Sequence, residues 1–310
     1  MTRDRYLGAL VGLAAGDALG TTAEFKARGS FDPVRDMVGG GAFGLPPGYW
    51  TDDTSMALCL AESLVETGGF DTHDQMTRYV RWWRDGHWSS TGTCFDIGST
   101  TARALERFLE TGDPMAGSPH SRSGGNGSLM RLAPVPLRYA QDPFEAVRLS
   151  AVSSRTTHAA PEAVDACRYF AALLVGALEG RQKRELLAPR FAPAGVDWQL
   201  DPLVPAIDAI AAGSFHGKVD DDIDSTGYVV HTLEAALWAF ARTSSFREGA
   251  ILAVNLGEDA DTTGAVYGQL AGAYYGAEGI PEEWRAKLVK REEIEGFAAA
   301  LFAAGRPEPG

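Results

Sequence analysis

Glycine occurs at every fourth position late in this chain, at Gly264, Gly268, Gly272 and Gly276. If residues 261–275 form a helix, these glycines leave one ridge of it without side chains. Each glycine in a helix interior costs about 1 kcal/mol relative to alanine. We expect close approach of a neighbouring helix to offset that cost, and contact of the bare backbone with a ligand is the alternative.

Apolar residues recur at helical intervals along most of the chain, and the alternation typical of strands is scarce. The pattern predicts helices over 6–18, 72–83, 100–109, 229–240 and 261–275, and helix starts at Thr51, Asp142, Pro161 and Ser245. Residues 115–128 and 180–227 are predicted loops, with short helices expected at 129–132 and 203–211. Because helical periodicity dominates and no linker or internal repeat divides the chain, the predicted fold is an all-α bundle.

Charge restricts the partners that this chain can bind. Its 310 residues carry a formal net charge of −13, and 45% of them are hydrophobic, which is enough to bury a large core. A duplex-binding protein normally presents a basic face, so we expect no nucleic-acid duplex as partner. An anionic substrate would have to be held by backbone amides, by a few cations or by bound metal.

Cysteine usage and hydropathy indicate the compartment. Cys59, Cys94 and Cys167 are an odd number at wide spacings, which argues against a disulfide framework or a structural zinc site and fits a reducing compartment. No secretion leader opens the sequence, and the small and apolar run at 264–276 is too short to span a bilayer. We expect a cytoplasmic protein with no membrane partner.

Two segments combine threonine with aspartate at predicted helix starts: residues 51–54 (Thr-Asp-Asp-Thr) and 259–262 (Asp-Ala-Asp-Thr). Helix capping explains one such residue in each segment, and it remains the alternative for both. Four carboxylates and two hydroxyls form an all-oxygen ligand set that suits Mg²⁺, Mn²⁺ or Ca²⁺ rather than zinc. If the segments converge, they predict a divalent-metal site.

Other patterns are less specific. The glycine-rich residues 124–128 could present amides to a phosphate or form an ordinary turn. The acidic residues 220–224 lack the glycine and glutamate that an EF-hand needs, so we expect a solvated loop. His73-Asp74 is similar to the central pair of HD-type phosphohydrolases, but the further histidines of that class are missing. The sequence contains neither a Walker A motif nor a nucleophile elbow.

Five motifs occur in a recognisable order: Gly16-Asp17-Ala18-Leu19-Gly20 with Glu24, residues 51–54, Cys94-Phe95-Asp96-Ile97-Gly98, Gly125-Asn126-Gly127, and residues 257–262. In combination they resemble the ADP-ribosylglycohydrolase family, including its dinitrogenase-reductase-activating type, over about residues 6–284. The resemblance implies an orthogonal multi-helix bundle with a single domain over residues 1–310. It also implies an enzyme that removes ADP-ribose from a protein side chain, with N-linked ADP-ribosylarginine as the first candidate, at a binuclear Mg²⁺ or Mn²⁺ site.

The resemblance further implies roles for individual residues. The family's metal ligands match Thr51, Asp52, Asp53, Asp259, Asp261 and Thr262. Its catalytic positions match Asp96, as proposed general acid/base, together with Glu24 and Asp52. Its substrate-binding positions match Gly125, Asn126, Gly127, Ser128, His158 and Ser99.

Two departures from the family pattern leave the linkage open between arginine, serine and a nucleobase. Glu258 stands where the family commonly has glycine and would add a carboxylate beside the ligands. Ser99 stands where some arginine-specific members have asparagine.

The expected partner is an ADP-ribosylated protein or a small molecule that contains ADP-ribose. Cleavage of the glycosidic bond would pass through an oxocarbenium-like state, with a carboxylate moving the proton of the leaving group. The alternatives are a metal-dependent phosphohydrolase acting on a nucleotide or phosphate ester, and a non-catalytic ADP-ribose binder. The intact Thr/Asp segments argue against the binder.

Overall fold

Helices form the regular structure of residues 1–305, the part of the chain that the computed structural model describes. Fourteen α-helices follow one another there: α1 (Arg3–Gly20), α2 (Asp52–Glu66), α3 (Thr72–Asp85), α4 (Ser99–Thr111), α5 (Pro134–Tyr139), α6 (Pro143–Arg155), α7 (Pro161–Glu179), α8 (Lys183–Leu186), α9 (Pro205–Ala211), α10 (Val229–Arg242), α11 (Phe246–Val254), α12 (Ala260–Tyr275), α13 (Glu282–Arg285) and α14 (Arg291–Ala304). Strand-like pairing within these residues is limited to three isolated bridges. The all-α prediction is confirmed.

The glycine ridge of α12 packs against a second glycine ridge on α1, which the sequence analysis did not identify. The two helices run antiparallel, so that Gly8 faces Gly272, Gly12 faces Gly268 and Gly16 faces Gly264. A Cβ built on any of these six glycines would overlap the backbone of the facing helix. The predicted close helix approach is therefore confirmed, and the ligand alternative is not needed.

The α1–α12 pair forms the centre of the bundle. Helices α2, α7, α10, α11 and α14 pack around it, and one continuous hydrophobic cluster joins them. The antiparallel arrangement brings the C-terminal end of α1, at Gly20, against the start of α12, at Ala260. The beginning of α12 thus lies at one end of the pair, where α2 also begins. Among the described helices, none is long and apolar enough to cross a membrane.

The predicted helix over 129–132 is wrong, because these residues form turns before α5 begins at Pro134. The buried side chain of Gln269 on α12 explains the difference. Its oxygen accepts a hydrogen bond from the Ala133 amide at 2.8 Å, and its nitrogen donates to the carbonyl oxygens of Met130 at 2.7 Å and Leu129 at 3.3 Å. The Leu129 carbonyl and Ala133 amide would bond to each other in a helix, so Gln269 replaces that bond.

Candidate active site

The start of α2 is capped from another helix. The carboxylate of Asp17 on α1 accepts hydrogen bonds from the backbone amides of Thr51 at 2.9 Å and Thr54 at 3.1 Å, and from their hydroxyls at 3.0 and 2.6 Å. Burial raises the pKa of Asp17 to about 6, although these four donors oppose the shift. Because Asp17 supplies the cap, Asp52 and Asp53 are left for other contacts.

The Thr/Asp segment at the start of α12 does not cap its own helix either, because the side chain of the N-cap residue Asp259 makes no capping hydrogen bond. Simple capping therefore does not account for either Thr/Asp segment. The sequence analysis gave Asp17 no role. The sequence did contain a signal for it: Asp17 is a single carboxylate within an apolar, glycine-rich stretch of predicted helix, and a buried carboxylate needs hydrogen-bond partners.

The two Thr/Asp segments converge although about 210 residues separate them in the chain. The Thr51 hydroxyl lies 3.3 Å from the Asp53 carboxylate and 3.2 Å from that of Asp261. The Thr262 hydroxyl lies 3.3 Å from Asp53. All four side chains are buried. This contact joins the start of α2 to the start of α12.

A second group of carboxylates lies beside the first. One oxygen each from Glu24, Asp96 and Asp261 lies within 4.8 Å of the other two. Glu24 and Asp96 share a hydrogen bond, and burial followed by the charge of Asp96 raises the pKa of Glu24. Burial also raises the pKa of Asp96. Glu24 follows the end of α1, Asp96 precedes α4 and Asp261 lies at the start of α12, so three separate segments supply this second group.

These residues fit a hard divalent cation. Burial, followed by repulsion from the neighbouring carboxylates, raises the pKa values of Asp52, Asp53 and Asp261 well above the ordinary range. Within residues 1–305, the buried atoms Glu24 Oε2, Asp53 Oδ1 and Asp261 Oδ1 have no hydrogen-bond partner. Bound cations would supply the missing partners and remove the repulsion.

A cavity of about 270 Å³ opens above this cluster. The lining includes most of the residues predicted for the site: Glu24, Asp52, Asp96, Ser99, Gly125, Asn126, Gly127, His158, Asp259, Asp261 and Thr262. Thr51 and Asp53 lie beneath it, fully buried. The lining also includes residues that the sequence analysis did not single out, namely Phe25, Thr100, Thr101, Met130 and Gly227.

Ser128 is the predicted substrate-binding residue that the structure does not bring to the cavity. Its side chain is buried, and its hydroxyl lies 2.8 Å from the hydroxyl of Ser154 and 3.5 Å from the Cys167 sulfur. The side chain therefore packs into the core between the glycine loop and α6 and α7, and only its backbone remains near the loop.

The glycine loop at 125–127 forms one wall of the cavity with His158. A Cβ on Gly127 would lie 2.8 Å from the imidazole ring, so glycine lets the loop pack closely on it. Burial, assisted by the charge of Arg131, lowers the pKa of His158 to about 3. The imidazole is therefore neutral, and its Nδ1 lies 2.9 Å from the Thr157 hydroxyl.

Asn126 has a more specific contact than the sequence suggested. Its side-chain amide donates to Asp259 Oδ2 at 2.8 Å and to the Thr232 hydroxyl at 2.9 Å. The glycine loop thus fixes the orientation of a carboxylate at the cavity floor.

Glu258 does not add its charge to the cavity, contrary to the expectation from its position. The side chain is exposed and lies in a separate surface groove with Arg28 and Asp224. Its backbone has a φ of +56°, in the left-handed region that favours glycine. The family's glycine at this position therefore has a conformational reason.

The less specific patterns have structural roles elsewhere. Residues Asp220–Asp222 form an exposed 3-10 turn, as predicted for a solvated loop. The His73 ring packs on Phe108, with centroids 5.1 Å apart, and Asp74 pairs with Arg78 at 2.6 Å. Neither pair contributes to a metal site like that of HD-type phosphohydrolases.

The fold and the site together define an all-helical protein with a buried oxygen-ligand set at the floor of a polar cavity. The family model for ADP-ribosylglycohydrolase matches residues 1–309. The chain belongs to the ADP-ribosylglycohydrolase family, and it is a hydrolase of N-glycosyl compounds. The predicted family, fold class and enzyme class are confirmed.

Individual relatives agree with this assignment. The chain is 44% identical over 299 residues to the ADP-ribosylarginine hydrolase Tri1 of Serratia proteamaculans, covering 96% of this chain and 79% of that one. It is 34% identical to the ADP-ribosyl-[dinitrogen reductase] glycohydrolase of Rhodospirillum rubrum, covering 97% of each chain. A solved ADP-ribosylglycohydrolase-related protein complex is similar with a TM-score of 0.86 and 49% identity, covering 98% of this chain and 99% of that one.

Proposed function

We propose that this enzyme hydrolyses the N-glycosidic bond between ADP-ribose and an arginine side chain of a modified protein. The single observation that carries the proposal is the convergence of two Thr/Asp segments with Glu24 and Asp96 at the floor of one cavity. A relative named as an ADP-ribosylarginine hydrolase supports the arginine linkage. A relative named as an ADP-ribosyl-[dinitrogen reductase] glycohydrolase supports a modified protein as the substrate. The three free cysteines fit a cytoplasmic location.

Two divalent ions, Mg²⁺ or Mn²⁺, would be held by the following residues: Thr51, Asp52, Asp53, Asp259, Asp261 and Thr262. Ions bound there would supply positive charge and Lewis acidity to a protein whose net charge is −13. The hydrogen bond that the Thr51 hydroxyl donates to Asp17 and the one that Asn126 donates to Asp259 hold these two ligands in fixed orientations.

The glycine loop and His158 are the residues proposed to contact the substrate away from the metal ligands. The backbone amides of Gly125 and Gly127 would hold the diphosphate, because both residues line the cavity without side chains, whereas the Asn126 amide donates to the Gly227 carbonyl at 3.1 Å. Neutral His158 lines the same wall and avoids adding a charge to it.

Asp96 is the proton carrier in this proposal. Burial raises its pKa, so the carboxyl can hold a proton near neutral pH and donate it to the departing guanidine nitrogen. Glu24 lies beside Asp96, with carboxylate oxygens within 4.8 Å of each other, and would help to hold the Asp96 carboxyl in place.

Product identity tests the proposal. The purified protein is incubated with free ADP-ribosylarginine and with an ADP-ribosylated protein, each with Mg²⁺, with Mn²⁺ and with a chelator. We expect ADP-ribose and unmodified arginine in the presence of metal and no cleavage with chelator. Release of inorganic phosphate from a nucleotide or phosphate ester, without cleavage of any ADP-ribosyl linkage, would favour the phosphohydrolase alternative.

A further inference from the structure

Three aromatic side chains from separate loops meet beside the cavity. Phe25 is 66% exposed and Phe43 is 38% exposed, while Phe95 is half-buried. The ring centroids of Phe25 and Phe43 are 6.1 Å apart, and those of Phe43 and Phe95 are 5.1 Å apart, both in edge-to-face geometry. Phe25 lines the cavity itself. These three residues are called the aromatic rim below.

The backbone holds the aromatic rim in its exposed position. Phe25 has a φ of +60°, which is uncommon for a bulky residue, and its amide donates to the Glu258 carbonyl at 2.7 Å. Phe43 lies in a tight turn that two hydrogen bonds between Gly40 and Leu45 close, at 2.7 and 3.0 Å. The backbone conformation therefore fixes the positions of Phe25 and Phe43 at the surface.

The position of the rim relates it to the leaving-group end of the site. Phe25 directly follows Glu24, and Phe95 directly precedes Asp96, so two of the three rings adjoin the proton carrier Asp96 and its neighbour Glu24. The glycine loop assigned to the diphosphate belongs to a different segment, where Gly125 pairs with Tyr228 in a backbone bridge and Gly127 packs on the His158 ring.

The chemistry of the rim favours one kind of occupant. Exposed aromatic surface gains little from a diphosphate, but it gains from aliphatic groups and from guanidinium groups placed over ring faces. A net charge of −13 also favours a cationic segment over an anionic one. Contiguous exposed apolar surface at the mouth of a site commonly marks an interaction surface.

We propose that the aromatic rim of Phe25, Phe43 and Phe95 binds the polypeptide that flanks the modified arginine in the substrate protein. The occupant is a peptide segment with aliphatic and basic side chains, which passes over the rim while its ADP-ribosylated arginine enters the cavity. The inference rests on the proposed function, since it requires a protein substrate. It adds a determinant of protein-substrate affinity outside the catalytic cavity.

Phe43→Ala tests the proposal, because Phe43 belongs to the rim but not to the cavity lining. With an ADP-ribosylated protein we expect kcat/KM to fall about tenfold, mostly through KM, which corresponds to about 1.4 kcal/mol of lost contact energy. With free ADP-ribosylarginine we expect no change. Phe43→Tyr, which keeps the ring, should retain wild-type values on both substrates.

Phe144→Ala is the matched control, since Phe144 is 57% exposed on α6 and borders a separate groove. It should leave both substrates unaffected. An equal loss on both substrates for Phe43→Ala, or weaker binding of free ADP-ribose, would overturn the proposal in favour of a structural or adenine-contacting role. No loss on the protein substrate would also overturn it.

Failure of the proposed function gives a different result. In that case the wild type cleaves neither arginine-linked substrate. The role of the aromatic rim is then tested by binding measurements alone. The quantity compared between variants is the ratio of the affinity for the ADP-ribosylated protein to the affinity for free ADP-ribose. The proposal requires that Phe43→Ala lowers only the first affinity, and an unchanged ratio contradicts it.

Discussion

Asp96 shows how a single residue obtains its reactivity from its surroundings. Its backbone has a φ of +59°, a conformation that aspartate tolerates better than most residues, and this places the carboxyl against Glu24. Burial and nearby negative charges then favour the protonated form. A buried acid of this kind suits general acid catalysis.

Asp96→Asn removes the transferable proton while preserving the shape of the side chain. We expect kcat to fall by about 10² to 10⁴-fold, the usual contribution of a general acid or base. Affinity for ADP-ribose, measured by calorimetry, should be retained. Asp220→Asn, in the exposed 3-10 turn, is the control and should keep full activity. Near-normal turnover of Asp96→Asn would remove Asp96 from the mechanism.

At the scale of elements, the α1–α12 pair determines where the site forms. Facing glycine ridges let the two backbones come into contact, which aligns the end of α1 with the start of α12. Asp17, near the end of α1, then reaches the start of α2. Packing of bare helix faces in the core therefore sets the geometry of a site at the end of the pair.

Gly268→Ala tests this packing. A methyl group there would overlap the Gly12 backbone, so we expect destabilisation of about 1–3 kcal/mol, as for other overpacked cores. Gly296→Ala on α14 is the matched control, because no heavy atom beyond its own stretch of helix lies within 4 Å of the added Cβ. The same substitution there should stabilise the protein by about 1 kcal/mol through helix propensity. Denaturant unfolding measures both, and equal effects would contradict the close contact.

At the scale of the whole molecule, the cluster of buried carboxylates links stability to metal binding. Asp52, Asp53 and Asp261 are buried close together, so the metal-free fold bears their desolvation and repulsion. A cation that binds only the native state stabilises it by about 2.7 kcal/mol at a hundredfold excess over Kd. For a chain of this length the corresponding rise in Tm is a few degrees.

Asp261→Asn should have two opposite effects. It should abolish most of the metal-induced rise in Tm. It should also leave the metal-free protein as stable as the wild type or more stable, because it removes the cost of burying an ionisable carboxyl among other carboxyls. Thermal melts with chelator, Mg²⁺ and Mn²⁺ measure both effects, with Asp220→Asn as control. A wild type whose Tm does not respond to either metal would refute the metal site.

Much of the fold followed from local sequence pattern. Helical periodicity and capping residues act within a few positions of each other, so they predicted the longer helices and the all-α class. The glycine spacing on α12 is also a local pattern, and it predicted a close helix neighbour. The turn at 129–132 was missed because its decisive partner, Gln269, lies about 140 residues away.

The sequence by itself determined which residue types were available for the site, and five ordered motifs determined the family. Tertiary structure decided which of them meet. Helix packing brings residues 51–53 into contact with residues 259–262 and places Asp17 where it caps α2. It also buries the Ser128 side chain in the core and leaves the Glu258 side chain at the surface. It also assembled the aromatic rim from three loops. The physical reason is that side-chain contacts across long sequence separations depend on how helices pack, and periodicity along the chain does not encode that packing.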